Sequence, residues 1–219
     1  DEVLGYHLEQ AYRSLLELGR AGAEAETLGR RAAGPLASAG RRAYARGDMP
    51  AAVNLMSRAT SLLPQREPER LELLPQLAFA LLETGDFGRL QEVVAETTET
   101  AHGQAEARLE AQAVILGLWV RLFTDPEGWA QEAQREATRA ISIFERESDE
   151  RGLAKAWSLL GLFHLTTCQF RAAGEAWERA AAHAAGASDE REHFEALAWV
   201  PLTVWAGPTP VDEGIDRCR

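Results

Sequence analysis

Lysine and asparagine each occur once in these 219 residues, as Lys155 and Asn54, and cysteine occurs twice, as Cys168 and Cys218. Two thiols 50 residues apart supply no disulfide framework, so reduced cysteines are expected. No run of 18 apolar residues exists. The greasiest stretch, Ala111 to Phe123, is 13 residues long and contains Gln112 and Arg121, which excludes a transmembrane helix. Basic side chains are outnumbered 23 to 34, a net charge of −11. The deficit is uneven: residues 1–60 hold 8 basic and 7 acidic groups (+1), leaving 15 and 27 (−12) for residues 61–219. An acidic body of that size opposes phosphate neutralisation, so neither nucleic acid nor a membrane is an expected partner of this domain. The opening Asp1-Glu2-Val3 has no Met, no basic region and no apolar leader, so no signal peptide is expected and the compartment is read as cytoplasmic. The close on Asp216-Arg217-Cys218-Arg219 breaks off in mid-pattern, and both ends read as cut.

What fills the chain is alanine, 39 of them, with leucine, glutamate, arginine and glutamine, the residues of highest helix preference. Apolar residues recur at steps of three and four, as in Leu71, Leu74, Leu77 and Leu81. Arg46-Gly47-Asp48, Thr84-Gly85-Asp86 and Asp125-Pro126-Glu127-Gly128 interrupt the runs with turn chemistry. Pro68, Pro126 and Pro210 sit where a first helical turn tolerates a missing N–H. The pattern predicts helices over 2–19, 25–46, 50–63, 68–84, 87–102, 105–123, 127–147, 150–167, 170–185, 189–206 and from 210 onward. The fold class is all-α, about ten or eleven antiparallel helices joined by short turns.

These helices repeat. Gly47 and Gly85 are 38 residues apart, and Gly-Asp-Met-Pro-Ala-Ala answers Gly-Asp-Phe-Gly-Arg-Leu, with a further copy at Cys168-Gln169-Phe170-Arg171-Ala172-Ala173. In 154–185, Trp157 is followed by Leu160 and Gly161, then His164, then a turn, then Phe170, Ala173, Trp177 and Ala180. This stretch resembles a tetratricopeptide repeat, with His164 at the usual aromatic position. Plainer copies run over 33–64 (Gly40, Gly47, Ala52, Ala59) and 71–102 (Ala78, Gly85). A degenerate one covers 110–144, with Gly117 in its first helix and about four extra residues at its turn. A partial copy occupies 189–219, and the helix at 2–19 leads the series, so 1–219 reads as one repeat domain. The resemblance implies a right-handed superhelix in which small residues let paired helices approach and large ones fill the gap to the next pair.

It also implies a binding face made by first-helix residues between the packing positions. In this register they are Arg41, Tyr44, Glu72, Phe79, Glu83, Leu118, Arg121, Lys155, Ser158, Leu162 and Thr166. The expected occupant is a protein or peptide, or a neighbouring domain of the same chain. The repeats that clamp a C-terminal carboxylate use groove Asn and Lys; here the sole Asn54 lies in a second helix and Lys155 stands alone, so that clamp is not expected.

Three phrases extend the resemblance: Tyr6-His7-Leu8-Glu9-Gln10-Ala11-Tyr12, Ala45-Arg46-Gly47-Asp48-Met49-Pro50-Ala51-Ala52-Val53-Asn54-Leu55, and Trp205-Ala206-Gly207-Pro208-Thr209-Pro210-Val211. They resemble the helical tail of large bacterial signalling proteins. Those pair a nucleotide-binding ATPase module of the signal-transducing (STAND) type with a class III adenylate or guanylate cyclase, or with a DNA-binding domain. The resemblance implies a non-catalytic sensor or interaction module of such a protein. A free-standing adaptor joining two partners is the competing reading, and a solenoid enzyme the third.

No catalytic residue, cofactor or metal site is expected. G-x-x-x-x-G-K-[ST], H-E-x-x-H, C-x-x-C and G-x-S-x-G are all missing. His164 and Cys168, four apart, offer two ligands where zinc wants three or four, and packing is the plainer role. His183 and His193, and carboxylate pairs such as Glu190/Glu195 and Glu145/Glu147, read as solvated. The cluster Arg30, Arg31, Arg41, Arg42 and Arg46 reads either as an acidic-partner patch or as arginines covering a helix pair. Trp157 and Trp177 take packing positions, whereas Trp119, Trp129, Trp199 and Trp205 are open to core or binding roles.

Overall fold

A computed structural model of the chain describes residues 2–104 and 107–217, so Cys218 lies outside the described residues. Among them are eleven helices and no strand: α1 (Glu2–Glu17), α2 (Ala23–Ala45), α3 (Met49–Ser61), α4 (Pro68–Thr84), α5 (Phe87–Gln104), α6 (Ala107–Thr124), α7 (Trp129–Glu147), α8 (Glu150–Thr166), α9 (Phe170–Gly186), α10 (Glu190–Ala206) and α11 (Val211–Arg217). Most boundaries fall within two residues of those read from the sequence. Pro126 is an exception: it belongs to the turn, since α7 begins only at Trp129, after a left-handed Gly128 at φ 67°. No described helix is long and apolar enough to cross a membrane.

One turn design recurs. At Gly47, Gly85, Ser148, Cys168 and Ser188 the backbone is left-handed, with φ between 53° and 78°. Each of these residues donates its N–H to the carbonyl three back, and its successor donates to the carbonyl five back. Thus Asp48 N bonds Ala43 O at 2.9 Å, Asp149 N bonds Phe144 O at 2.9 Å, and Asp189 N bonds Ala184 O at 2.9 Å. This is the Schellman closure, which satisfies the orphan carbonyls of a helix end. The successor then caps the next helix: Asp48, Asp86, Asp149 and Asp189 accept from Ala51, Arg89, Gly152 and Glu192 N–H. Stop and start signals thus share two residues, and the chain doubles back within them.

Cys168-Gln169 is the weak copy. Gln169 makes no side-chain cap, and its Oε1 instead meets His164 Nδ1 at 2.9 Å. A non-glycine residue in the left-handed region costs about 1 kcal/mol, and a missing cap costs about the same. The paired change Cys168→Gly with Gln169→Asp is therefore expected to stabilise the chain by about 1 kcal/mol, after the unfolded-state entropy of glycine is deducted. Ser148→Gly and Ser188→Gly should each add about half that. Urea midpoints measured on the variants check this series, and a destabilised double variant would refute the turn argument.

The chain divides into two compact units, Asp1–Gly103 and Gln104–Arg219. Inside each unit, helices pack on their neighbours in sequence order: α1 on α2, α2 on α3 and α3 on α4 in the first, and α6 through α10 successively in the second. Small residues carry the seams. Ala52, Ala59, Ala78, Ala173 and Ala180 are wholly buried. A Cβ built on Gly40 would stand 2.7 Å from Met56 Cγ, and one on Gly161 would stand 2.7 Å from Trp177 Cε2. Gly117 differs from the expectation, since nothing lies within 4 Å of a Cβ there. The reason is that α6 meets α7 through another face, where Ala111, Ile115 and Leu118 join Trp129 in the core and the Trp129 indole donates to Leu118 O at 2.7 Å.

Polar links between alternate helices step by one repeat. Arg30 reaches Glu67, Gln112 reaches Asp149 and Lys155 reaches Glu192, each across 37 residues. In the first unit, Arg70 grips both Glu96 oxygens, at 2.6 and 2.9 Å, and donates to Thr60 O and Leu63 O at the end of α3.

Candidate interaction surface

The eleven candidate groove residues fall in both units, and each unit stands by itself. In the first, Arg41 and Glu72 come together from α2 and α4, with Nη2 3.6 Å from Oε2. Glu83 is exposed and Phe79 half-buried, but Tyr44 is buried and displays little to a partner. Tyr44 lies one turn before the left-handed Gly47, whose N–H bonds its carbonyl at 2.9 Å.

In the second unit, Leu118 and Ser158 are likewise buried rather than displayed. Leu118 belongs to the α6–α7 core beneath Trp129. Ser158 and Lys155 converge from α8 on Glu192 of α10, which is 6% exposed. Ser158 Oγ donates to Oε1 at 3.0 Å, and Lys155 Nζ donates to Oε2. Glu192 sits at the third position of α10, where a capping-box carboxylate would fold back on its own helix end. Here it turns outward and ties α10 to α8 instead. Burying that carboxylate is tolerable because both oxygens are met. The sole lysine is thereby committed to internal bonding.

Arg121 is half-buried and bonded to Glu132 of α7, and its Nη2 also reaches Glu127 O at 3.3 Å. The Glu132 hydrogen bond, aided by the Glu132 and Asp125 charges, holds the guanidinium pKa above its ordinary value. Leu162 is half-buried and packs against both apolar clusters of the unit. Thr166 is exposed and spends its hydroxyl on Phe163 O at 2.8 Å. Arg121→Ala should leave the thermal midpoint close to that of the unaltered chain, since the pair is solvent-screened. A thermal-shift measurement checks this.

Other candidates resolve into structure. Arg30 pairs with Glu67 and Arg41 with Glu72, so the arginine cluster is partly neutralised within its own unit, while Arg42 bonds Ser38 Oγ at 2.7 Å. His183 and His193 differ from the solvated reading. Both are half-buried, the first on Glu150 at 2.8 Å and the second on Ala181 O at 2.9 Å. Among the described residues, no three His, Cys, Asp or Glu side chains gather as a metal set.

The tryptophans separate into three behaviours. Trp129 is core, and Trp177 is fully buried with Trp199 stacked on it at 5.3 Å. Trp157 bridges the two clusters beneath the Arg179 guanidinium at 4.6 Å. Trp205 is 84% exposed. Sequence reasoning missed Glu9, a carboxylate 1% exposed on α1 and held by Arg13 and Arg58. No signal in the sequence singles it out from the other glutamates.

The geometry therefore offers a helical scaffold with internal ion pairs and a few displayed residues. No protein-family model matches the chain, and no curated protein matches it.

Proposed function

We propose that this chain is a tetratricopeptide-like array, coiled as a right-handed superhelix, and that it serves as a non-catalytic protein-interaction or sensor module. The parent would be a larger cytoplasmic signalling ATPase linked to a nucleotide cyclase or to a transcriptional output. The observation that carries the reading is recurrence: one turn design returns at 47, 85, 148, 168 and 188, and three polar links each span 37 residues. The close Gly161–Trp177 approach adds to it, as does the resemblance of 154–185 to the repeat pattern. Each repeat needs its neighbour to bury its apolar side, which makes the array suited to holding an extended face. The partner is a protein or peptide on first-helix residues such as Arg41, Glu72, Phe79, Glu83 and Arg121, or an adjoining domain. Binding would bias the stacking of the array and so the nucleotide-binding module joined to it.

The test is the coding region on both sides, followed by deletion. An adjoining P-loop module with a cyclase or helix-turn-helix domain is the expected finding, and removal of these residues should change its nucleotide-dependent output several-fold. Output unchanged by the deletion would refute the sensor role. A start codon before Asp1 and a stop after Arg219 would transfer the reading to a free-standing adaptor, to be pursued by co-purification.

A further inference from the structure

Helix α10 is apolar on two faces. One, carrying Ala196, Val200 and Thr203, is buried within the second unit. The other carries Phe194, Leu197, Pro201, Leu202 and Trp205, all exposed, with Phe194 at 66%. Leu197, Pro201, Leu202 and Trp205 follow Phe194 at three, seven, eight and eleven residues, which puts all five on one side of the helix. Val211 and Ile215 of α11 are exposed as well. Helix α8 shows what a helix of this composition takes in the same unit: it is flanked by α7 and by α9. Helix α10 has α9 along one side, and the seven-residue α11 covers little of the other, where Gly214 meets Val204.

We propose that this face is a self-association surface, on which α10 of a second copy packs about a twofold axis. Charge selects this occupant. Residues 196–211 contain no charged side chain, in a chain whose net charge is −11. At the edge of the face, Glu195 is paired with Arg191 at 2.7 Å. A twofold contact sets each residue group against the same group, so an uncharged face meets itself without repulsion, whereas acidic surfaces repel their copies. Area agrees with it. Aromatic side chains of 150–250 Å² at these exposures, with the leucines, Pro201 and Val211, give roughly 650 Å² per copy, somewhat under the ~800 Å² per partner of a standard interface. The second α10 also supplies the missing piece, an apolar helix laid opposite α9. This surface is independent of the repeat-family reading and of any upstream ATPase.

The experiment is sedimentation velocity on the 219-residue chain between about 1 and 200 µM, with Trp205→Asp and Val3→Asp for comparison. Trp205 is so exposed that its replacement leaves the unit folded, which far-UV circular dichroism verifies. A concentration-dependent dimer is expected, weakened at least tenfold by Trp205→Asp and unchanged by Val3→Asp on the exposed side of α1. Tryptophan emission should shift to the blue as the wild type dimerises, and much less in Trp205→Phe. A chain that stays monomeric to 200 µM overturns the proposal, as does a dimer indifferent to Trp205→Asp. A monomer whose tryptophan emission shifts on phosphatidylcholine vesicles also overturns it and reassigns the face to lipid.

Discussion

Arg58→Ala is expected to destabilise the first unit by about 3 kcal/mol, more than any surface arginine in the chain. Helix α1 fully buries only Gly5 and Glu9, with Leu8, Tyr12 and Leu15 half-buried, so the Glu9 carboxylate carries a large share of its hold on the unit. Arg13 takes one Glu9 oxygen at 2.6 Å, and Arg58 takes the other through Nε at 2.8 Å and through Nη2. Losing Arg58 leaves a buried carboxylate with one exposed partner, and the desolvation cost of that charge is no longer offset. Glu9→Ala should cost less, because Arg58 is partly exposed and its guanidinium can turn to water. The double change Glu9→Met with Arg58→Met should return most of the loss, since removing both charges also removes their desolvation.

The assay is aided by where the chromophores lie. All six tryptophans fall in 104–219 and all three tyrosines in 1–103. Urea unfolding followed by circular dichroism and by tryptophan emission therefore separates an effect on the first unit from one on the second. A cost under 1 kcal/mol for Arg58→Ala would place the pair with ordinary surface salt bridges and refute the argument.

Gly161→Ala and Gly117→Ala should move stability in opposite directions. Both glycines hold the same place in the repeat pattern. A Cβ at 161 would lie 2.7 Å from Trp177 Cε2 and Nε1, and Trp177 is itself buried and stacked on Trp199. A ring so confined cannot give way without moving α9 or Trp199, so a loss of about 2–3 kcal/mol is expected. At 117 nothing stands within 4 Å, and alanine gains its helical preference over glycine, about 0.5–1 kcal/mol. Tryptophan-monitored urea midpoints of the two variants check both signs. If Gly161→Ala were neutral, the glycine–tryptophan seam would be loose and the repeat packing argument would fail with it.

Much of the architecture was legible because helix propensity, apolar spacing and turn chemistry agree along the chain. Gly47-Asp48 and Gly85-Asp86 announce their turns through glycine. Ser148-Asp149 and Ser188-Asp189 build the same turn, yet serine does not advertise a left-handed backbone. The legible signal there was the aspartate, a helix cap following a small residue. The candidate surface was harder to read. Tyr44, Leu118 and Ser158 were placed outward by register, and their burial depends on the rotation of each helix against its neighbour. Glu9 and Glu192 look like any surface glutamates until partners 49 and 37 residues away, respectively, are brought to them. Trp205 reverses the case, for an aromatic near the end of an apolar helix promises burial and is instead displayed.

Within each unit, the packing of α2 to α4 and of α7 to α10 on their predecessors also governs how the chain acquires its structure. Contacts that close between sequence neighbours require short loops, so little chain entropy is lost before the first apolar surface is buried. Low contact order of this kind belongs to chains that fold in microseconds to milliseconds. During synthesis, α9 emerges when α8 is already waiting for it, and each hairpin can form without the residues still to come. The polar links that span 37 residues close one helix pair later, as Lys155 does when Glu192 arrives. A growing chain built this way ratchets forward, with each new pair locking the one before it.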